Sequence, residues 1–105
     1  MFHLNRENFN NKVSENRDGK IFLIIHPSHG LDEVTLNSLL LLEKEFPEVS
    51  FFTLDGEKEK ILAFNYQAFQ LPSFILISKG EIIGSGEGDL STENLRSILE
   101  MEEEV

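Results

Sequence analysis

The apolar run Lys20–Ile25 constrains the fold of this chain more than any other segment. It reads Lys-Ile-Phe-Leu-Ile-Ile, with apolar residues at consecutive positions rather than at alternate ones. This pattern is typical of a strand that is covered on both faces in a mostly parallel sheet, so we predict a central strand here. With 105 residues and 40% hydrophobic content, we expect one domain over residues 1–105 with a single core.

Helical patterns flank the central strand on both sides. Asn5 is a suitable cap for a short helix in which the apolar residues Phe9 and Val13 share one face. The segment Leu31–Phe46 contains apolar residues too dense for one narrow stripe, so we expect a helix that is buried on more than one side. Pro47 ends this helix.

The second half of the chain continues the alternation of strands and helices. The pattern predicts a strand at Val49–Leu54, a helix at Glu57–Asn65 and a hairpin of Ser73–Ser78 and Glu81–Ile83. It also predicts a last helix, capped by Ser91, with Leu95, Ile98, Leu99 and Met101 on one face. The order of strands and helices indicates an α/β fold with a right-handed parallel crossover. We expect residues 100–105 to fray, because their carboxylates lie at the negative end of the last helix dipole.

The charge of the chain argues against two classes of partner. Nineteen Asp and Glu residues against nine Lys and Arg residues give a formal net charge of −10. This charge repels phosphate backbones and anionic headgroups, so we expect no nucleic acid and no membrane among its partners. The polar segment Met1–Asn16 does not read as a signal peptide, and no run reaches the about 18 apolar residues of a membrane span. We therefore predict a cytoplasmic protein.

One segment resembles a known family. Tyr66–Glu81 reads YQAFQLPSFILISKGE and resembles the thioredoxin stretch in which a hydrophobic–proline–threonine step leads into a strand that ends in Asn-Gly-Glu. Gly88, Leu90 and Ser91 extend the match, and the preceding strand and helix align without a gap. The resemblance covers essentially the whole chain. It implies a thioredoxin fold, with a central mixed sheet of four to five strands flanked by about four helices.

The chain departs from the family where the family carries its chemistry. It contains no cysteine, and exchange between a dithiol and a disulfide requires a thiolate nucleophile. The resemblance places His29 and Asp32 at the two cysteine positions, Leu23 at the position of the buried acid and Thr53 at that of the nearby lysine. The chain therefore cannot be a dithiol–disulfide oxidoreductase, and the resemblance implies a cysteine-less, redox-inactive member that needs no cofactor.

Pro72 is the family feature that remains. The resemblance implies that Leu71-Pro72 is cis and that Leu71–Ser73 exposes a backbone edge on which an extended segment of a partner pairs like an added strand. The predicted protein-binding groove comprises His29, Gly30, Leu31, Phe69, Gln70, Leu71, Pro72, Ser73 and Gly88. In the alternative interpretation, Pro72 only shapes the turn into the following strand.

Phe69 strengthens the binding hypothesis, because thioredoxins commonly have a polar or charged residue at the aligned position. Exposed apolar patches mark interaction sites, and we expect Leu31 and Leu71 to complete a patch with Phe69. The alternative is that Phe69 folds inward against Tyr66 or Phe64. The expected partner is an unidentified protein, and a homodimer through the same rim stays open.

A second hypothesis is a metal-dependent or small-ligand-dependent activity at His29 and Asp32. His26, His29 and Asp32 have the spacing His-x-x-His-x-x-Asp, and imidazole with carboxylate is a plausible ligand set for zinc. They are weak candidates, because a helix start disfavours cations and Asp32 is also an ordinary helix cap.

Two further motifs are weaker. Ser28, His29 and Asp32 contain the residue types of a hydrolase triad, but adjacent residues rarely point at each other. The segment Gly84–Gly88 resembles a phosphate loop but has no neighbouring Lys or Arg, and it carries Glu87 and Asp89 nearby. Loop flexibility or a bulge explains these glycines better.

Overall fold

A computed structural model describes residues 1–102 and confirms the predicted α/β fold with a mixed sheet. The elements in chain order are β1 (Phe2–His3), α1 (Arg6–Phe9) with its π-helical continuation Asn10–Ser14, β2 (Lys20–His26), α2 (Glu33–Glu45), β3 (Val49–Asp55), α3 (Lys60–Asn65), β4 (Ser73–Ser78), β5 (Glu81–Glu87) and α4 (Thr92–Leu99). Within residues 1–102, no helix combines the length and the apolar composition that a bilayer span requires.

The sheet has the strand order β1-β3-β2-β4-β5. Strands β1, β3 and β2 are parallel, whereas β4 runs antiparallel to β2 and β5 antiparallel to β4. The predicted central position of β2 is confirmed, because Ile21 to Ile25 are each at most 1% exposed. Because β2 and β4 are antiparallel, the C-terminal end of β2 and the N-terminal end of β4 lie at the same end of the sheet, where Ile25 is opposite Ser73.

The core forms two layers, one on each face of the sheet. On one face, Ile21, Leu23 and Ile25 pack with Phe9 and Val13 and with residues of α3. On the other face, Phe22 and Ile24 pack with the buried residues of α2 and α4, which are Leu39, Leu42, Leu95, Ile98 and Leu99. Full burial of one large apolar side chain stabilises the fold by about 1.5–3 kcal/mol, so a strand buried on both faces holds the two layers together.

Helix α2 differs from the prediction. It begins at Glu33 after the cap Asp32, and the expectation that it is buried on more than one side is wrong. Its buried residues are Thr35, Leu39 and Leu42, which the helical period places on the side facing the sheet. Val34 is 77% exposed and Leu41 is 51% exposed, because no other element of residues 1–102 covers their side of the helix.

The N-terminal edge of the sheet was not predicted. Phe2 and His3 pair with Phe52 and Thr53 of β3, and the Leu4 N–H donates to the Thr53 carbonyl at 2.7 Å. The imidazole of His3 also forms a hydrogen bond with the Thr53 hydroxyl. A strand of two residues is too short to give an alternating pattern, so this pairing follows only from the fold.

Strand β5 extends four residues beyond its predicted end at Ile83, and its glycines have a packing role. A Cβ at Gly84 would lie 2.6 Å from the Met101 sulfur, and one at Gly86 would lie 2.9 Å from Cδ1 of Ile98. The glycines let α4 approach the strand closely. A register shift opposite Leu76 and Ile77 marks a bulge in β5. Because Gly84–Glu87 belong to this strand, Gly84–Gly88 is not a phosphate loop.

The C-terminal boundary also differs from the prediction. Helix α4 ends at Leu99, so Met101, which was predicted on one face of this helix, lies beyond it and is 43% exposed. The Met101 carbonyl accepts a hydrogen bond from the Lys20 ammonium at 3.1 Å. The remaining part of the expectation of a frayed tail concerns residues 103–105, which lie outside the described residues.

Candidate protein-binding groove

Two loops at one end of the inner strands β2 and β4 form the walls of a cleft. The first wall follows β2 at residues 27–31, and the second precedes β4 at residues 69–72, where the Leu71-Pro72 peptide bond is cis. The cleft between them has a volume of about 270 Å³ and is lined by Pro27, His29, Gly30, Leu31, Asp32, Thr35, Leu71, Pro72 and Asp89. We call this cleft the Pro72 groove.

The first wall is held by its own hydrogen bonds. The Gly30 N–H donates to the Pro27 carbonyl at 2.9 Å and closes a turn. The Ser28 N–H donates to Glu57 at 2.8 Å, and the Ser28 hydroxyl donates to the Asp55 carboxylate at 2.9 Å. These bonds fix the wall to the turn between β3 and α3.

Asp55 is the main acceptor in this arrangement. Burial by itself raises the pKa of the Asp55 carboxyl, but the Lys58 N–H, the Ser28 hydroxyl, the Glu57 N–H and the charge of His26 together outweigh it, so the pKa is lowered. The carboxylate is therefore ionised at neutral pH. Its hydrogen bond with Ser28 holds the first wall in place, although Asp55 does not itself line the groove.

Asp32 acts as the N-cap of α2. Its carboxylate accepts the Thr35 N–H at 2.7 Å, and this hydrogen bond, followed by one from the Thr35 hydroxyl, lowers the pKa of Asp32. Of the two residues that the resemblance aligns with the cysteines of thioredoxins, Asp32 thus stabilises the start of a helix, while His29 is exposed.

The catalytic and metal arrangements that the sequence suggested are not assembled. The Ser28 hydroxyl is bonded to Asp55 and Asp32 to Thr35, so no Ser28–His29–Asp32 relay exists. The Nδ1 atom of His26 lies 2.7 Å from the Pro27 carbonyl oxygen. Among residues 1–102, no group of three His, Asp or Glu side chains is placed to hold a metal ion, so the weak metal candidates are not brought together.

The second wall presents its main chain to the groove. The Pro72 carbonyl accepts the Gly88 N–H at 2.8 Å, and the Gln70 carbonyl accepts the Ser73 hydroxyl. Between these two, the N–H and the carbonyl of Leu71 have no hydrogen-bond partner in the part of the chain that the structure describes. Leu71 thus offers one donor and one acceptor in the second wall of the groove.

The side chains of this wall point in different directions. Leu71 packs inward, with its Cδ atoms 3.1 Å from the position that a Cβ on Gly56 would occupy. Leu31 packs against the core layer on the opposite face of the sheet. The expected continuous patch of Phe69 with these two leucines therefore does not form, because each leucine is partly buried in its own layer.

Phe69 is exposed, and its contact with Phe64 lies at the surface rather than in an inward-folded position. It is 71% exposed, and its ring lies edge-on to the ring of Phe64 with 5.6 Å between centroids. Phe64 is 67% exposed and Ile61, one helical turn before it, is 78% exposed. We call Ile61, Phe64 and Phe69 the Phe69 rim. Ile61 and Phe64 belong to the helix predicted at Glu57–Asn65, and their spacing of three places them on one face of it.

Two buried positions below the groove carry no acidic or basic side chain. Leu23, at the position of the family's buried acid, is fully buried in the core. Thr53, at the position of the lysine, is 3% exposed and bonded to His3. Proton transfer between the groove and the interior has no side chain to use at these two positions.

Comparison with solved structures identifies the architecture. Mitochondrial thioredoxin 3 from Saccharomyces cerevisiae superposes with a TM-score of 0.78 and 21% identity over 96% of this chain and 95% of that one. Fasciola hepatica thioredoxin gives 0.76 and 22% over 97% and 100%, and a mutant of Entamoeba histolytica thioredoxin gives 0.77 and 17% over 95% and 97%. No protein-family model and no curated protein matches the sequence. The chain has the thioredoxin fold without the cysteines.

Proposed function

We propose that this cysteine-less thioredoxin-fold chain is a redox-inactive protein-binding module: an adaptor, a chaperone-like factor or a subunit of a larger assembly. The observation that carries the proposal is the unpaired main chain of Leu71 in the second wall of the Pro72 groove. A partner's extended segment pairs there as an added strand, because one donor and one acceptor are free on the same residue. We also propose that the protein is cytoplasmic.

The Phe69 rim supplies the second part of the argument. Soluble proteins usually shield large aromatic side chains, and an aromatic pair beside a groove is the kind of anchor that dominates binding energy. Phe69 is two residues from Leu71, so one extended segment reaches both the free main chain and the exposed ring. Main-chain pairing then provides affinity that depends little on sequence, and the rim provides selection for an apolar side chain.

The alternative activity at His29 and Asp32 has no comparable support. Asp32 is engaged as the cap of α2, and the imidazole of His29 is exposed without a second ligand or an ordered acceptor. A site that performs chemistry requires groups held in a fixed mutual geometry. The binding proposal requires only a free backbone edge and an apolar rim, both of which the described residues provide.

The test is a quantitative affinity capture from native lysate with three baits. We expect the wild type and Leu41→Ser to retain a common protein and Phe69→Ser to lose it, because Leu41 is an exposed apolar residue of α2 outside the groove. A captured protein must then also bind the purified wild type, and at the groove. Equal capture by all three baits would contradict a role of the rim.

The homodimer requires a separate measurement. Sedimentation equilibrium of the purified wild type and of Phe69→Ser shows whether two copies pair through the rim. A dimer that dissociates on substitution of Phe69 would identify the partner as a second copy. If the wild type is monomeric at all concentrations, the proposed partner is a different protein and not a second copy.

A further inference from the structure

The charged residues of the Pro72 groove are all of one sign. Asp32 and Asp89 line the cleft, together with His29, and no Lys or Arg is among the lining residues of the described chain. Asp89 is exposed and has no ion-pair partner within residues 1–102. The net charge of the chain, −10, adds to the negative potential at this cleft.

The start of α2 does not reverse this sign. The free N–H groups of a helix N-terminus attract anions, and α2 has thirteen residues. The Asp32 carboxylate, however, already accepts the Thr35 N–H at 2.7 Å, so this end is occupied by a negative group of the chain itself. The hydrogen bonds from Thr35 also lower the pKa of Asp32, so its charge is present at neutral pH. The groove therefore favours a cation.

The acidic side of the groove is close to the apolar rim. Gly88, which precedes Asp89, donates to the Pro72 carbonyl at 2.8 Å, and its Cβ position is 3.7 Å from the Gln70 amide nitrogen. Gln70 is the neighbour of Phe69 in sequence. Asp89 and Phe69 are thus the sequence neighbours of two residues, Gly88 and Gln70, that lie next to each other.

We infer that the Pro72 groove takes an extended peptide segment with a Lys or Arg side chain between apolar residues. This inference rests on the proposed function and specifies the partner's chemistry. The cation lies between Asp32 and Asp89, the peptide backbone pairs with Leu71, and an apolar side chain contacts the Phe69 rim. A second copy of this chain is disfavoured as occupant, because it brings the same negative charge to the cleft.

The test uses short fluorescein-labelled peptides with Phe and Val on both sides of a central residue that is Lys, Gln or Glu. Fluorescence anisotropy gives the dissociation constant of each peptide for the intact chain. We expect the Lys peptide to bind at least about tenfold more tightly than the Glu peptide at low salt, with the Gln peptide between them. The difference should shrink at about 0.5 M salt, since screening weakens exposed charge pairs.

Two substitutions locate the effect. Asp89→Asn should reduce the preference for the Lys peptide, whereas Asp18→Asn, the same charge change in the turn before β2 at the other end of the strand, should not. Phe69→Ser should weaken all three peptides by a similar factor. Equal effects of Asp89→Asn and Asp18→Asn would assign the preference to the overall charge and overturn the inference.

The remaining outcomes separate the inference from the function on which it rests. If the three peptides bind equally and all lose affinity in Phe69→Ser, the binding function holds and the basic preference is wrong. If none of them binds at high protein concentration, the inference and the proposed function both lose their support. Preferential binding of the Glu peptide would contradict the inference directly.

Discussion

The two walls of the Pro72 groove differ in the side chains that they expose. In the first wall, the Ser28 N–H and hydroxyl and the Gly30 N–H are all bonded within the chain. In the second wall, the N–H and carbonyl of Leu71 are unpaired in the described chain, and Phe69 is 71% exposed. The main chain of His29 in the first wall is likewise unpaired among the described residues, so the walls differ in the exposed aromatic ring rather than in their free main-chain groups.

The largest effect is expected at the contact that holds the two walls together. A Cβ on Gly56 would lie 2.6 Å from Cγ2 of Ile25 and 3.1 Å from the Leu71 Cδ atoms. We expect Gly56→Ala to lower the free energy of unfolding by about 2–3 kcal/mol, since overpacking a core displaces side chains and backbone. Urea denaturation measures this.

Gly30→Ala is the control for this prediction. A Cβ at Gly30 has nothing within 4 Å, so only its φ of +91° is unfavourable. We expect a loss of about 1 kcal/mol from this backbone conformation. Equal losses for the two variants would show that Gly56 is not a tightly packed junction between the walls.

The next effect concerns the acceptor beneath the first wall. Asp55→Asn removes the charge that receives the Ser28 hydroxyl and the N–H groups of Glu57 and Lys58. We expect a loss of about 1–2 kcal/mol in the free energy of unfolding, as is typical of hydrogen bonds to a charged acceptor. Ser28→Ala, which removes one of these donors, should lose less. A variant as stable as the wild type would show that the first wall does not depend on Asp55.

The pH dependence of stability gives a smaller effect at the same residue. The pKa of Asp55 is lowered in the folded state, so its stabilising contribution is present above its ordinary pKa of 3.8 and is lost as the pH falls through the folded-state value. The difference between wild type and Asp55→Asn should therefore narrow as the pH falls from about 5 toward the folded-state pKa. Urea midpoints at several pH values test this, and a constant difference would contradict the sign of the shift.

The smallest change in stability is expected for Phe69→Ser. Because the side chain is 71% exposed and contacts mainly the ring of Phe64, its removal should change the free energy of unfolding by no more than about 0.5 kcal/mol. The same variant should lose partner binding. A loss above about 2 kcal/mol would show that Phe69 has a role in the core and would remove it from the binding surface.

The candidate site shows what sequence reasoning could and could not reach. The exposure of Phe69 was expected from an aromatic residue at a position that is commonly polar in the family. Its contact with Phe64 was considered only for an inward-folded ring, because a spacing of three on a helix fits a buried stripe as well as an exposed one. The leucines predicted to extend the patch pack into separate layers, a distinction that depends on which face of the sheet each one meets.

The sequence by itself determined the central strands β2, β3 and β4, the absence of thiol chemistry and the acidic charge, because hydrophobic period and residue identity are local properties. It therefore sufficed for the α/β order and for the exclusion of dithiol exchange. Only the tertiary structure decided that α2 leaves Val34 and Leu41 exposed, that Gly84 and Gly86 admit α4, and that Leu71 keeps an unpaired main chain. These outcomes depend on which distant segments meet, and neither composition nor periodicity contains that information.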